Sequence, residues 1–506
     1  MNRLFNLTIS SSSLYLLVFI TSLILSAIAN YHAVANPDGI LYLRAAEIFN
    51  EQGLKAAMEI FPWPFYSVLI ATAHKLTTLN YQNAALLLNS LLLAMMAICF
   101  VDITKRLGGN LRIQQLAAII ILLLPTLADY RDYFIRDSGY WPFLLLGLTL
   151  FLRFNTNLRW LTAISMGMSL CIAALFRFEG IVVLILTPLL LLILQQEEPI
   201  LTRIGNATRC YAFPLLLAVA WGIVIVATGK YHLLGRLPEL IEKFVFLFAL
   251  PEHWQAQRDL LLTLLPEQAK PDEATTLLLG GFGVYFLVKL LQGLSFIGAL
   301  LVIYALVTKS LPRTTAVRLT LGFFIINLII PIVFLAQFFF LSERYVMPAV
   351  WILLLAAPFG LAHGLDHMVG YSLVKQRAIK ITLSLCVIYL LIESTLSFGP
   401  SPYYLRQAGE WLAINTPATS RVLTNHGAIN YYNFIHANKW QPPVSDEQLQ
   451  QQLLCNTLQD YDYIALRVPR KQADFSRLIL QQPPGKILVE FANNKNDRVI
   501  IFQQEP

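Results

Sequence analysis

Ionisable side chains stand next to long apolar stretches at several points of this sequence, where a charge is expensive and is usually kept for a function. The first is Asp38 in the segment ANPDGILYLRAAEIFNEQG, which follows the first apolar stretch. A carboxylate at this point can act as a general base that takes a proton from a reacting group. The structural alternative is a helix cap, because Asp38 precedes apolar positions at helical spacing. Asp38 is therefore a candidate base and a candidate cap.

A second acidic group, Asp129, Asp132 and Asp137, lies in the segment ADYRDYFIRDSGYWPF together with Arg131 and Arg136. A short turn between two apolar stretches does not need this density of charge, although ion pairs and a capping Asp137 would explain it structurally. The functional hypothesis is that these carboxylates approach the carboxylate of the first loop. There they would supply a partner for the base, or metal-binding oxygens for a phosphate leaving group.

At the ends of two further apolar stretches, an acidic residue stands close to an arginine in the sequence. Arg177 and Glu179 occur in ALFRFEGIVV, and Glu343, Arg344 and Tyr345 occur in FLSERYVMPA. An arginine can hold an anionic phosphate through paired hydrogen bonds while a glutamate fixes the guanidinium. Interfacial anchoring by Arg and Tyr is the structural alternative. Anchoring would not need an acidic neighbour, which favours a function for Arg344.

The composition places these residues in a membrane protein. Of the 506 residues, 57% are hydrophobic and only 13% are charged, with a mean hydropathy of +0.60, which excludes a soluble globular enzyme. Crossing a bilayer takes about 20 apolar residues, and about eleven stretches, several of them short, are candidates. The sequence thus predicts a polytopic α-helical membrane protein, with spans near 12–33, 83–103, 114–128, 140–154, 160–176, 180–195, 211–228, 283–308, 318–341, 345–363 and 379–397.

The distribution of Lys and Arg predicts the orientation of the chain. These residues occupy every second turn between the spans, as they do in cytoplasmic loops. The first span is expected to be an uncleaved anchor that enters from the cytoplasm, so that the loops 34–82 and 229–282 and the segment after 397 lie outside. The net charge of +7 is dispersed, so no nucleic-acid partner is expected. The lack of a disulfide framework favours a bacterial inner membrane.

Residues 398–506 differ in character from the transmembrane domain of residues 1–397 and predict a small α/β domain outside the membrane. The helical patterns are YLRQAGEWLAIN and FSRLILQQ, and the strand patterns are RVLTN, YIALRV and a hairpin of KILVEFA and RVIIFQ. Amphipathic segments at 40–60, 64–79 and 237–265 are expected to wall a cavity at the outer face.

The order of these motifs resembles a known family. Asp38, with Tyr42 four places on, is followed by PWPFYSVLIATAHKL, then by RFEG (177–180) and RYVMP (344–348). The tail phrase EWLAINTPATSRVLTNHGAINYY is similar as well. Over nearly the whole chain, the ordered motifs resemble polyprenyl-phosphate-dependent membrane glycosyltransferases of the C-type (GT-C) fold. The protein O-mannosyltransferase-like and aminoarabinose-transferase-like branches are the most similar.

The resemblance implies a GT-C-like fold, a polyprenyl-phosphate sugar as donor, Asp38 as catalytic base and Asp137 as the second acidic residue. The donor is expected to be met by Tyr42, Arg44, Arg136, Arg177, Glu179, Glu343, Arg344 and Tyr345. Two residues depart from the family pattern. Gly39 stands where many relatives have a second carboxylate, and Pro62 stands where a phosphate-binding lysine is frequent. The phosphate must then be met by other cations, such as Arg44, Arg136 or Arg344.

Such a transfer has a physical rationale. An inverting reaction needs one carboxylate to take the acceptor proton and cations to hold the departing phosphate. No cofactor is expected, although Asp129, Asp132 and Asp137 could hold a divalent cation. The acceptor stays open between lipid A, another glycolipid, a cell-surface polysaccharide and a protein, with membrane lipids around the site. A transporter or flippase, and a polymerase or ligase of lipid-linked polysaccharide, stay as alternatives.

Overall fold

The computed structural model describes residues 10–230, 234–266, 268, 270–396, 399–417, 419–434, 443–445, 448–449, 451, 458–471, 477, 479 and 483–504. Helices dominate the chain. They are α1 (Ser11–Ala29), α2 (Pro37–Gln52), α3 (Leu54–Ile60), α4 (Phe65–Thr77), α5 (Tyr81–Arg106), α6 (Leu111–Leu123), α7 (Pro125–Asp129), α8 (Asp137–Asn157), α9 (Trp160–Phe176), α10 (Gly180–Leu194), α11 (Ile200–Thr228), α12 (Leu237–Leu262), α13 (Pro271–Val307), α14 (Thr315–Phe338), α15 (Glu343–Leu354), α16 (Ala357–His367), α17 (Leu373–Thr395), α18 (Tyr403–Asn415) and α19 (Gly427–Phe434).

The helices confirm a multi-span membrane protein but not the expected number of crossings. Within the described residues, seven helical stretches are long and apolar enough to cross a bilayer: Ser11–His32, Tyr81–Arg106, Ile200–Thr228, Pro271–Val307, Thr315–Phe338, Glu343–Gly370 and Leu373–Thr395. Every other predicted span also falls on a helix. Some of these are short: α6 has 13 residues, or about 20 Å, against a hydrocarbon core of about 30 Å. The count of about eleven crossings is therefore not confirmed.

Close packing at the ends of α8, α9 and α15 builds the framework of the site. Gly139 lets α8 begin against the last residue of α9, because a Cβ there would lie 2.1 Å from the Phe176 ring. Trp141 of α8 and Trp351 of α15 are fully buried, with ring centroids 5.7 Å apart. Such aromatic side chains bury large apolar areas and pack edge to face. The ends of the three helices are thus fixed relative to one another.

The C-terminal residues form the expected small α/β unit. Its strands are β1 (Val422–Thr424), β2 (Tyr463–Val468), β3 (Lys486–Ala492) and β4 (Arg498–Gln503), in the order β1-β2-β4-β3. β1 pairs parallel with β2, and the other pairs are antiparallel. The predicted helix at 403–415, both early strands and the hairpin are confirmed. The helix expected near FSRLILQQ lies largely outside the described residues, and α19 was not expected.

One face of this sheet belongs to the main core of the protein. Ala465, Val499 and Ile501 pack in the same apolar cluster as the membrane helices, together with Leu412 of α18. The opposite face has its own small core around Ile464. Helix α19 packs directly on α2, the helix that carries Asp38. The boundary between 1–397 and 398–506 stays a prediction, but residues on its two sides share one core.

Candidate active site

Asp38 does not cap the helix in which it lies. Helix α2 begins after Asn36, with Pro37 in its first turn, a position that suits proline because the missing N–H would have no helical partner. The Asn36 side-chain oxygen accepts a hydrogen bond from the backbone N–H of Phe134 at 3.0 Å. Asp38 instead pairs with Arg344, whose Nη1 donates to Oδ2 at 2.5 Å. The capping hypothesis for Asp38 is wrong, because its carboxylate is bound by a cation from α15.

The two carboxylates proposed for the site have different surroundings. The side chain of Asp38 is 40% exposed, whereas that of Asp137 is 2% exposed. Arg177 Nη1 donates to Asp137 Oδ1 at 2.6 Å, and Arg177 Nη2 donates to Glu179 Oε1 at 3.0 Å. Asp137 is the first residue of α8 and makes no capping hydrogen bond. It is therefore locked in a buried ion pair, while Asp38 remains open to a substrate.

The charges of the buried group around Arg177 stabilise one another. Burial disfavours the charge of Arg177, but Asp137 and Glu179 outweigh it and hold the pKa of Arg177 well above its ordinary value. Burial also opposes the charge of Glu179, yet Arg177 and Arg136 lower the pKa of Glu179 to about 2. Arg177 and Glu179 thus stay charged at neutral pH. The turn between α9 and α10 supplies a fixed set of charges.

Tyrosine rings join the Asp38 pair to the Arg177 group. The Tyr345 ring lies 4.7 Å from the guanidinium of Arg177 and 5.3 Å from that of Arg344, within the range of cation–π attraction. Tyr42 is buried in α2, and burial raises its pKa while the charges of Arg136, Asp38, Asp137 and Arg344 act on it. The groups from α2, α8, α15 and the α9–α10 turn therefore form one cluster.

Several buried polar atoms of this cluster have no hydrogen-bond partner among the described residues. They are Arg136 Nη1, Asp137 Oδ2, Glu179 Oε2 and Arg344 Nε. Buried polar groups in folded proteins are almost always satisfied. Among these residues, Arg136 is in the least favourable surroundings for its charge. Burial is the main cause that lowers its pKa, and the charge of Arg177 lowers it further. Two of the four atoms are arginine N–H donors, and buried donors of this kind can bind an anionic ligand.

Three other sequence-predicted residues are influenced by charges outside the cluster. Arg44 lies further along α2, where the charge of Glu47 acts on it. The charges of Lys289 and Asp129 act on Glu343. Asp129 is itself influenced by Glu393, and burial raises the pKa of Asp129.

The three carboxylates suggested for a divalent cation are not brought together. Burial raises the pKa of Asp132 to about 6, with a smaller contribution from Asp129, while Asp137 is bound to Arg177. In the described part of the chain, no three His, Cys, Asp or Glu side chains stand close enough to hold a metal ion. Asp129, Asp132 and Asp137 therefore do not form the oxygen cage that a divalent ion prefers.

Sequence analysis missed two cations beside the site, Arg236 and Lys243. The Arg236 guanidinium and the Lys243 ammonium lie 4.7 Å and 4.4 Å from the Phe178 ring, between Arg177 and Glu179 in sequence. Arg236 also binds Glu239, at 2.5 Å. Burial lowers the pKa of Lys243, and Glu179 partly offsets this. Arg236 immediately precedes α12 and Lys243 lies in its second turn, so both cations are near the start of this helix.

The structure gives a steric cause for Gly39, the first of the two departures from the family pattern. A Cβ at Gly39 would lie 2.5 Å from the Cβ of Phe134, so a second carboxylate has no room at this position. The chain before α12 covers the turn that contains Pro62. Gly235, at a φ of +56°, approaches so closely that a Cβ there would lie 2.9 Å from the Pro62 carbonyl oxygen. Helix α12 therefore brings its own cations close to the turn from which the expected lysine is missing.

Comparison with known proteins gives matches at the level of structure. No protein-family model matches the chain, and a search of curated proteins finds no match. The oligosaccharyltransferase of Archaeoglobus fulgidus, in complex with Zn and sulfate, superimposes with a TM-score of 0.55 at 11% identity, over 92% of this chain and 70% of its own. ArnT from Cupriavidus metallidurans, in the apo state, superimposes with a TM-score of 0.50 at 13% identity, over 97% of this chain and 98% of its own. The chain has a GT-C-type fold.

A further structure superimposes over almost the whole chain. The A. fulgidus oligosaccharyltransferase AglB in complex with an inhibitory peptide and a dolichol-phosphate superimposes with a TM-score of 0.52 at 11% identity, over 97% of this chain and 74% of its own. At these identities the GT-C likeness concerns the fold. It confirms the fold expected from the motif order, including the small C-terminal sheet unit.

Proposed function

We propose that the protein is a membrane glycosyltransferase that moves a sugar from a polyprenyl-phosphate carrier to an acceptor on the outer face of a bacterial inner membrane. The observation that carries the proposal is the contact between Asp38 and Arg344 at 2.5 Å, beside buried arginine N–H groups without partners. A carboxylate and a cation in contact are the two groups that such a transfer needs. The dolichol-phosphate bound to AglB supports a lipid phosphate as the carrier.

The proposed reaction gives each side chain of the Asp38 pair one task. Asp38 takes the proton of the acceptor as the acceptor atom bonds to the anomeric carbon of the sugar. The bond from that carbon to the phosphate oxygen breaks, and its electron pair goes to the phosphate. Arg344 holds Asp38 through Nη1, and its Nε is buried without a partner. Arg344 can therefore bridge the base and the phosphate on which negative charge develops.

The other cations complete the proposed phosphate site. Arg136 has a buried Nη1 without a partner, and Lys243 forms no ion pair within 4.0 Å in the part of the chain that the structure describes. Both can meet phosphate oxygens, Arg136 through directed N–H groups and Lys243 as a point charge. Asp137, Arg177 and Glu179 are too buried to touch a substrate freely, and we assign them to positioning. They fix Tyr345 and through it the orientation of Arg344.

The test is a transfer assay with the purified protein in lipid, a radiolabelled polyprenyl-phosphate sugar and membrane-extracted acceptors. Asp38→Asn keeps the shape of the side chain but removes its basicity, so we expect transfer to fall by about 10²–10⁴-fold. The matched control is Asp366→Asn, which breaks another Asp–Arg contact of 2.5 Å, with Arg112, where the Asp366 side chain is 66% exposed. The control should transfer at the wild-type rate.

Two outcomes would contradict the proposal. A well-folded Asp38→Asn variant that transfers sugar as fast as the wild type would leave Asp38 without a role as base. A wild-type protein that transfers no label from any extracted donor would refute the glycosyltransferase function itself. In the second case, the function to measure becomes the transport of a lipid-linked sugar. The assay would then monitor movement of that lipid between the two leaflets of vesicles.

A further inference from the structure

The segment that leads into the Asp38 helix is buried and extended. Ala33 and Ala35 are 0% and 2% exposed, and both Ala33 and Asn36 have extended backbone angles. Buried backbone N–H and C=O groups outside helices and strands must find partners elsewhere. The partners of these polar groups therefore determine where α2 starts. Asp38 lies only three residues after Ala35.

Partners for this segment come from the far end of the chain. The backbone N–H of Ala35 donates to the phenol oxygen of Tyr432, on α19, at 2.9 Å. The carbonyl oxygen of Ala33 accepts from Arg406, on α18, at 3.5 Å and from Gln82, on α5, at 3.2 Å. Two of these three contacts thus come from the C-terminal unit, and the third comes from the bundle.

The Tyr432 side chain is itself buried and tightly packed. It is 2% exposed, and the Arg406 guanidinium lies 5.4 Å from its ring. A Cβ at Gly409 of α18 would lie 2.6 Å from the Tyr432 Cβ, so the two helices pack at the closest possible distance. Gly427, at the start of α19, lies against Ile40 of α2. The phenol oxygen is therefore a rigid anchor point for Ala35.

We infer that Tyr432, supported by Arg406, is a positioning residue for the proposed transfer, so that the C-terminal unit is a working part of the active-site framework. This inference rests on the proposed function of Asp38. Tyr432 fixes the chain three residues before the carboxylate, while Arg344 binds the carboxylate itself. Displacing a catalytic group by about 1 Å can slow a reaction by up to about 10²-fold. Loss of the Tyr432 hydroxyl should therefore act on the rate of transfer and spare donor binding.

The experiment compares two tyrosine-to-phenylalanine variants of the full chain in lipid nanodiscs. Tyr432→Phe removes the acceptor of the Ala35 N–H. Tyr404→Phe is the matched control, because Tyr404 is also buried in the C-terminal unit but its hydroxyl accepts from Arg467 at 3.3 Å. Hydrogen exchange of the peptide covering 33–43 is measured together with kcat and with KM for the polyprenyl-phosphate sugar. For Tyr432→Phe we expect kcat to fall by about tenfold with an unchanged KM, and exchange to accelerate at 33–40 alone.

The outcomes separate this inference from the proposed function. If Tyr432→Phe matches Tyr404→Phe in both kcat and local exchange, Tyr432 does not position Asp38. Accelerated exchange throughout β2 and β4 as well would show general loosening and would also overturn the inference. If the wild type transfers no sugar, the proposed function fails, and unchanged exchange at 33–40 in Tyr432→Phe would additionally refute the anchoring contact. Local acceleration with slowed transfer supports both.

Discussion

Burial decides what each carboxylate of the candidate site can do. Asp137 is 2% exposed and bound to Arg177, which is itself buried. Asp137→Asn would leave the Arg177 guanidinium with Glu179 as its remaining carboxylate contact. Breaking a buried pair in this way costs about 3–5 kcal/mol. We therefore expect Asp137→Asn to lower the melting temperature markedly, as measured by thermal unfolding in nanodiscs.

The comparison for this prediction is Asp38→Asn. The Asp38 side chain is 40% exposed, and ion pairs of this exposure contribute about 1 kcal/mol or less. Asp38→Asn should thus unfold close to the wild-type temperature while losing transfer. Equal melting temperatures for the two variants would show that the Asp137–Arg177 pair adds no stability, and would remove its role in fixing the cluster.

Glu47 gives the folded protein a specific pH dependence. Burial raises the pKa of Glu47 to about 7, a shift that Arg44 reduces. A raised carboxyl pKa means that the folded state binds the proton more tightly, so this group destabilises the fold as pH rises from about 4.5 to about 7. Glu47→Gln should be similar to the wild type in stability at pH 4.5 and more stable by about 2–3 kcal/mol at pH 8.

Thermal unfolding at pH 4.5, 6, 7 and 8 measures this difference. The control is Glu59→Gln, which removes an exposed carboxylate from the neighbouring helix α3. The gap between Glu47→Gln and the wild type should widen with pH, while the gap for Glu59→Gln stays constant. A gap for Glu47→Gln that is the same at all four pH values would show that Glu47 ionises normally in the folded protein.

The sequence allowed the charged residues to be found, and with them the local Arg177–Glu179 contact, but not their distant partners. Charges beside apolar stretches stand out because a bilayer penalises them, and this singled out Asp38, Asp137, Arg177 and Arg344. Asp38 and Arg344, however, are 306 positions apart, and no local pattern encodes such a contact. The capping hypothesis failed for the same reason, since a distant cation competes for the carboxylate.

Among the secondary-structure elements, α2 makes an unusually close contact with the turn before α8. A Cβ at Gly39 would lie 2.5 Å from the Phe134 Cβ and 2.8 Å from the Asn36 side-chain oxygen. Gly39→Ala must therefore push α2 away from that turn and weaken the Asn36–Phe134 hydrogen bond. Overpacking of this kind costs about 1–3 kcal/mol. We expect a lower melting temperature and slower transfer, because Asp38 is the neighbouring residue.

The matched control for this element is Gly280→Ala in α13. A Cβ at Gly280 would meet nothing within 4 Å, and alanine is preferred to glycine within a helix by about 0.5–1 kcal/mol. Gly280→Ala should keep full transfer and unfold at the wild-type temperature or slightly above it. If Gly39→Ala behaves like this control, α2 is not fixed by Phe134, and the absence of a second carboxylate at position 39 needs another cause.

Across the whole molecule, hydropathy determines the class of fold, while long-range packing determines how its parts meet. The apolar stretches predicted a polytopic helical bundle, and alternation predicted the β3–β4 hairpin, since both depend on local periodicity. The hydrogen bond between Tyr432 of α19 and Ala35, just before α2, joins residues 397 positions apart, so it could not be predicted from local pattern. Some apolar stretches form helices of fewer than 18 residues, which is why the lengths of the helices do not confirm about eleven crossings.

The distribution of buried surface predicts which parts of the bundle depend on lipid. In the most apolar window of α5, 72% of the residues are buried by protein, whereas the figures are 11% for α11 and 6% for α17. Helices with few protein contacts open locally at low free energy unless the bilayer supports them. On transfer from nanodiscs to a short-chain detergent, we expect hydrogen exchange to accelerate in α11 and α17 and to stay slow in α5. Equal acceleration in all three helices would mean that the bundle loosens as one unit, and that its stability does not follow the protein contacts of each helix.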